Sequence, residues 1–243
     1  MDLHVHTSAS FDSLASPESV VRAAASRGLT HLAITDHDTI DGALEARGVV
    51  SRGAIDLTVL VGQEVRTTEG DLIAIFLDEA IESGLPPVEA IAAIRAQGGL
   101  VGIPHPFDQF RGSLLKGREL DDPDRAGVGP AAIAPLVDWV EAHNARVMVG
   151  RGNEQAMAFA REHGLPGVAV SDAHTTLEIG VAYNALDGDP STPAGLLAAL
   201  PPSDIVTGRA TYFVRAVTPV AKLVQRARGR GRRAPDGGSK VLP

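Results

Sequence analysis

Five short apolar runs in this chain each end in a side chain of the kind that binds metal ions, and this repetition restricts the fold more than any other feature. Asp2-Leu3-His4-Val5-His6 comes first. Ile34-Thr35-Asp36-His37-Asp38, Gly62-Gln63-Glu64, Ile103-Pro104-His105-Pro106 and Val170-Ser171-Asp172-Ala173-His174 follow. Alternate side chains of an extended strand share a face, so Asp2, His4 and His6 project together, and the two histidines form a ready imidazole pair. Parallel strands bring such ends to one rim, where α/β barrels keep their chemistry. The candidate metal ligands are His4, His6, Asp12, His37, Glu64, His105, Asp172 and His174. A carboxylate such as Glu64 can bridge two cations, and closely spaced metals lower the pKa of a bound water and clamp phosphoryl oxygens.

The remaining pattern alternates short strands with amphipathic helices. Strands are expected at 2–6, 31–35, 58–63, 72–77, 100–104, 137–141, 146–149, 167–171 and 180–185. Helices are expected near 17–27, 41–51, 87–97, 130–135, 153–163, 193–200 and 217–228. Ser16-Pro17-Glu18 supplies an N-cap, a first-turn proline and an acidic residue at the positive helix end. Alternation of this kind implies right-handed parallel crossovers, hence an α/β fold with a parallel sheet or closed barrel. Residues 1–228 read as one domain. Residues 229–243 lack apolar content and read as a disordered basic tail. The loop 106–129 is long enough to be functional.

Composition removes several classes. There is no cysteine, so disulfides and thiolate sites are excluded and any metal must use nitrogen and oxygen ligands. No apolar run approaches a membrane span. The chain enters a strand at once instead of a basic and apolar leader, from which a cytoplasmic location is expected. Of 22 basic and 30 acidic residues, six basic and one acidic fall in residues 224–243, which leaves 16 against 29 elsewhere. So acidic a body is a poor platform for duplex nucleic acid.

Other polar residues carry two readings each. Asp36 and Asp38 either orient a ligand imidazole or belong to turn chemistry. Glu141 and His143 can reach the same rim, as ligands or as supports. Arg111 and Lys116 are substrate-phosphate partners or solvated loop charges. His163 is placed for the helix dipole, and His31 for the surface.

These motifs, in this order, resemble the polymerase and histidinol phosphatase (PHP) superfamily over residues 1–185. The resemblance implies a distorted (β/α)7 TIM-like barrel, two or three divalent ions (manganese, iron or zinc) and an enzyme that hydrolyses phosphoesters with a metal-bound hydroxide. By position, His4, His6, Glu64 and Asp172 resemble ligands of the first metal, and Asp12, His37 and His174 those of a third. Relatives usually carry a further histidine on the strand after Gly-x-Glu. Here Gly70-Asp71-Leu72-Ile73-Ala74-Ile75 shows none. The second metal is then left with Glu64 and His105, and either Glu141 or His143 substitutes or the site is weak, water-rich or empty. The leading expectation is a phosphatase for a small phosphomonoester. The alternatives are an exonuclease or phosphatase for short oligonucleotides or nucleoside bisphosphates, and a non-catalytic metal-binding regulatory module.

Overall fold

The computed structural model describes residues 1–53, 55–115, 129–147, 151–200, 204–211, 214 and 217–231. One sheet holds β1 (Asp2–Val5), β2 (His31–Ile34), β3 (Thr58–Arg66), β4 (Asp71–Ile75), β5 (Leu100–Ile103), β6 (Trp139–Asn144) and β7 (Gly167–Val170) in sequential order. Its two edges meet: the His6 N–H donates to the Ala173 carbonyl (2.9 Å), and the buried Asp2 carboxylate accepts from the Ser171 N–H (3.1 Å). The sheet is thus a nearly closed barrel, and the expected α/β, distorted TIM-like architecture is the observed one.

Around it lie α1 (Pro17–Ser26), α2 (Asp41–Arg52), α3 (Pro87–Ala96), α4 (Pro130–Ile133), α5 (Gly152–Glu162), α6 (Pro193–Ala199) and α7 (Val217–Ala227). Helix α1 starts where the sequence says it should. Ser16 accepts from the Ser19 N–H, Pro17 opens the first turn, and Val20, Val21 and Ala24 are buried. Past its end Gly28 takes φ +76°, a left-handed conformation that only glycine adopts freely.

Period-two alternation sorts the strand residues into two apolar layers. Leu32, Ile34, Val59, Val61, Leu72 and Val101 pack with the helices through Val21, Ala43, Ile94 and Phe159. Ala33, Leu60, Ile73, Ile75, Leu100 and Trp139 form a separate cluster on the opposite face.

Three expectations are corrected. The sheet is not wholly parallel: β4 runs antiparallel to both β3 and β5, because only a short turn joins it to β3 and no helix is available to carry the chain back. The strand expected at 146–149 begins as a turn at Ala145 and Arg146, and Met148 and Val149 lie outside the described residues. The strand expected at 180–185 is reduced to β8 (Tyr183–Ala185). It pairs outside the barrel with β9 (Asp204–Val206), a segment too short and too exposed to be read from pattern. In the loop 106–129, Phe107, Leu114 and Leu115 are buried, and residues 116–128 lie outside the described set, as do residues 232–243 of the basic tail.

Gly102 shows how tightly the barrel is filled. A Cβ there would strike the fully buried Trp139 ring on the neighbouring strand. Gly102→Ala is expected to cost about 1–3 kcal/mol of stability, read as a lower denaturant midpoint with an unchanged slope. A variant as stable as the parent would contradict this packing.

Candidate metal centre

All eight expected ligands are gathered at the rim. With Asp71 added, their polar atoms fall into groups within which the ligand atoms lie no more than 4.8 Å apart: His6, Asp12, His37 and His174; His4, His6 and Asp172; and Glu64, Asp71 and His105. Glu64 is the hub. Its Oε2 lies 3.1 Å from His37 Nδ1, 3.3 Å from His4 Nε2 and 3.4 Å from His6 Nε2, and its Oε1 lies 3.1 Å from His105 Nε2. Asp12 faces His174 (3.2 Å) and His37 (3.4 Å) through Oδ2, while its buried Oδ1 has no hydrogen-bond partner among the described residues. His105 and Asp172 hold φ of +29° and +51°. Left-handed backbone at non-glycine residues is a strain that clusters at functional sites.

The strand ends explain this convergence, with two amendments. The rule that ligands stand at the far ends of strands does not reach Asp71, which opens β4. On an antiparallel strand it is the first residue, not the last, that reaches the rim, and Asp71 there joins Glu64 and His105. Glu141 and His143 share a face only if β6 alternates regularly, and its pairing shifts between these residues. His143 turns away, with Nε2 2.7 Å from the Gly208 carbonyl. Glu141 instead stands behind the centre. One oxygen lies 2.6 Å from His4 Nδ1, and the other accepts from the His105 N–H and the Asn144 side-chain amide, each at 2.9 Å. Asn144 also donates to Asp172 Oδ2 (2.9 Å), so it steers two carboxylates, a role that no local pattern marks.

Asp36 and Asp38 make neither a local turn bond nor a direct bond to a ligand imidazole; both reach across to other segments. Asp36 accepts from the Thr7 N–H and hydroxyl and the Ser10 hydroxyl, and Asp38 from the Arg66 N–H. Arg111 makes close contact with Asp172 and lies 3.4 Å from Asp108. Lys116 lies outside the described residues. His163 caps α5 with its ring 4.5 Å from that of Phe159, and His31 Nε2 lies 3.0 Å from the Ser191 hydroxyl.

Charge in this buried cluster is only partly balanced. Burial disfavours the charged His4, but Glu141 and Glu64 outweigh it and raise the His4 pKa to about 10. Burial likewise opposes His37, which Glu64 and Asp12 nonetheless raise to about 9. Burial, together with the neighbouring imidazoles, holds His6 well below its ordinary value. Burial also takes His174 down to about 4 despite Asp12. Two neutral rings, a buried carboxylate oxygen that has no partner among the described residues, and an oxygen-and-imidazole donor set fit divalent cations.

The rim is the floor of a cavity of about 340 Å³, bordered by Phe11, Phe110, Arg111, Arg146, Thr218 and Lys222. Residues 2–106 match the PHP domain family and residues 150–201 the PHP-associated family. A relative from Methanocaldococcus jannaschii, the uncharacterized protein MJ1587, is 37% identical over 137 residues, 52% of this chain and 78% of the relative. The chain belongs to the PHP family. With membership comes the class that the motifs imply, an enzyme that is a metal-dependent phosphoesterase. The 5'-3' exoribonuclease Rnm of Salmonella typhimurium is 44% identical over 66 residues, 27% of this chain and 22% of Rnm. The fold is that of a two-domain Bacteroides vulgatus protein containing a predicted PHP-like metal-dependent phosphoesterase. The TM-score is 0.65 at 17% identity, over 85% of this chain and 64% of that one. Among the described residues, no helix is long and apolar enough to cross a membrane.

If Asp71 completes the group with Glu64 and His105, elemental analysis of Asp71→Ala should find one metal fewer per chain, whereas His143→Ala keeps the full complement. An unchanged metal content in Asp71→Ala would remove Asp71 from the centre. Because bound ions stabilise the native state that holds them, chelator should lower the thermal midpoint by several degrees, and His6→Ala should abolish that difference.

Proposed function

We propose that residues 1–228 act as one unit that hydrolyses a small phosphomonoester. The observation that carries this reading is the convergence of imidazoles and carboxylates on Glu64 at the floor of a cavity whose volume suits a small molecule. His4, His6 and Asp172 would hold one ion, Glu64, Asp71 and His105 a second, and Asp12, His37 and His174 a third. Closely spaced ions of manganese, iron or zinc supply a water of lowered pKa and neutralise charge on the phosphoryl oxygens.

The chain's own residues do the rest. Glu141 fixes the His4 ring through Nδ1 and so aims Nε2 at Glu64. Asn144 holds Asp172 and Glu141 in one orientation. Arg111, three residues along the loop from Asp108, is the cation placed to exchange its carboxylate contacts for a phosphoryl group, with the planar fork suited to that anion. Lys116 remains a candidate for the same role.

A second reading is supported by the short, strong likeness to Rnm: removal of nucleotides from short single strands. The acidic body argues against long nucleic acid.

The test is turnover of p-nitrophenyl phosphate by metal-reconstituted protein, against bis(p-nitrophenyl) phosphate and a short 5'-phosphorylated oligonucleotide. The monoester should be the preferred aryl substrate. The His4→Ala, His6→Ala double variant should lose at least about a thousand-fold in kcat, and turnover that survives it would sink the site. Arg111→Ala should lose about ten- to a hundred-fold in kcat/KM. Preference for the oligonucleotide, with affinity falling steeply as salt rises, would favour the nuclease reading instead.

A further inference from the structure

His4, His6, His105 and His174 present Nε2 to the carboxylates Glu64 and Asp12, and each ring is held at Nδ1 from outside. The Glu141 carboxylate lies 2.6 Å from His4 Nδ1, the Asp172 carbonyl 2.9 Å from that of His174, and the Ser113 hydroxyl 3.3 Å from that of His105. A carboxylate or a carbonyl can only accept, and the Ser113 hydroxyl has given its proton to the His105 carbonyl (2.7 Å). These three rings therefore carry a proton on Nδ1. For His6 the outer partner is the Ser10 hydroxyl, 3.1 Å from Nδ1. A hydroxyl can accept or donate, and by itself it leaves the His6 tautomer open.

Asp36 closes that choice. Ser10 is fully buried, and its hydroxyl donates its single proton to Asp36 Oδ1 (2.9 Å). The hydroxyl oxygen also accepts from the His37 backbone N–H (2.9 Å). With the proton spent, a lone pair faces His6, and His6 Nδ1 has to be the donor. In the neutral ring this leaves a lone pair on Nε2, which points inward, 3.4 Å from Glu64 Oε2 and 3.5 Å from Asp172 Oδ1. Asp36 accepts from the Thr7 N–H and hydroxyl as well, each at 2.6 Å, and as a carboxylate it gives no proton back.

Ser10 is itself fixed in place. Its N–H donates to the Thr7 carbonyl (3.0 Å), and its carbonyl lies 3.0 Å from the side-chain nitrogen of the buried Gln225 on α7. The same nitrogen lies 2.8 Å from the carbonyls of Ser8 and Ser13, so α7 grips the loop on both sides of Ser10. One hydroxyl thus touches the ring of His6 and the backbone of His37, and His6 is shared by two of the ligand groups.

We propose that Ser10 is a positioning residue: its hydroxyl, with the proton given to Asp36, locks His6 as the Nδ1–H tautomer and keeps the Nε2 lone pair turned toward the centre. An imidazole side chain free in water favours the other tautomer, whose Nε2–H cannot bind a cation. The use made of the lone pair rests on the metal-dependent reading, and the tautomer itself does not.

The experiment is heteronuclear NMR of the histidine rings in the full chain, freed of metal with chelator at mildly alkaline pH, followed by competition titration with zinc. The His6 signals are assigned by their loss in His6→Gln. The parent should show His6 with a protonated Nδ1 and a bare Nε2, and the Nδ1–H proton shifted downfield by its hydrogen bond. Ser10→Ala should lose that downfield shift while the rings of His4 and His105 keep theirs, and its zinc affinity should fall about ten- to a hundred-fold. A proton on Nε2 of His6 in the parent overturns the proposal. So does a Ser10→Ala variant in which the Nδ1–H signal or the zinc affinity is unchanged, or in which His4 and His105 are disturbed as much as His6. If Ser10→Ala does not fold, the tautomer of the parent decides alone. An Nδ1–H ring in a parent that binds no zinc upholds the lock and overturns the metal-dependent reading. Zinc binding by a parent whose metal-free His6 carries its proton on Nε2 does the reverse.

Discussion

Packing several imidazoles and carboxylates into the mouth of one barrel removes them all from water, and each charge then costs free energy unless another compensates it. Glu64 concentrates that compensation. Both of its oxygens are engaged, with four histidines from three different elements around them. The strands that carry these groups must end at a common height, and the meeting of β1 with β7 ensures it. Closure of the barrel and convergence on Glu64 are therefore one constraint seen at two scales.

The second layer of polar contacts is where the centre gains its rigidity. Glu141 and Asn144 hold His4, the His105 backbone and Asp172, while Asp36 and Ser10 hold the loop after β1. These residues meet no outside solvent, and a partly satisfied network in a low-dielectric interior is more costly than none. The same cost falls on Arg146 and Glu178 under α7, a charged pair almost wholly withdrawn from solvent.

Much of this was legible beforehand for a specific reason. Strand ends in a parallel barrel follow a rule of position, so His4, His6, His37, His105, Asp172 and His174 could be picked out by looking where apolar runs stop. The rule failed wherever the strand departed from the regular case. Reversal of β4 moved the rim to its first residue and hid Asp71, and the irregular pairing in β6 exchanged the faces of His143 and Asn144. Both departures depend on what the neighbouring strand does, which no local pattern records.

The sequence by itself determined the fold class, the family and the side chains with metal-binding chemistry, because apolar periodicity and ligand placement are properties of single segments. Only the tertiary structure decided which histidines surround Glu64, which groups stand behind it, and that a helix near the end of the described residues borders the cavity. Those are contacts such as that of Gln225 with Ser8, 217 residues apart, and so long a loop is closed by the summed packing of everything between, not by any signal in either segment.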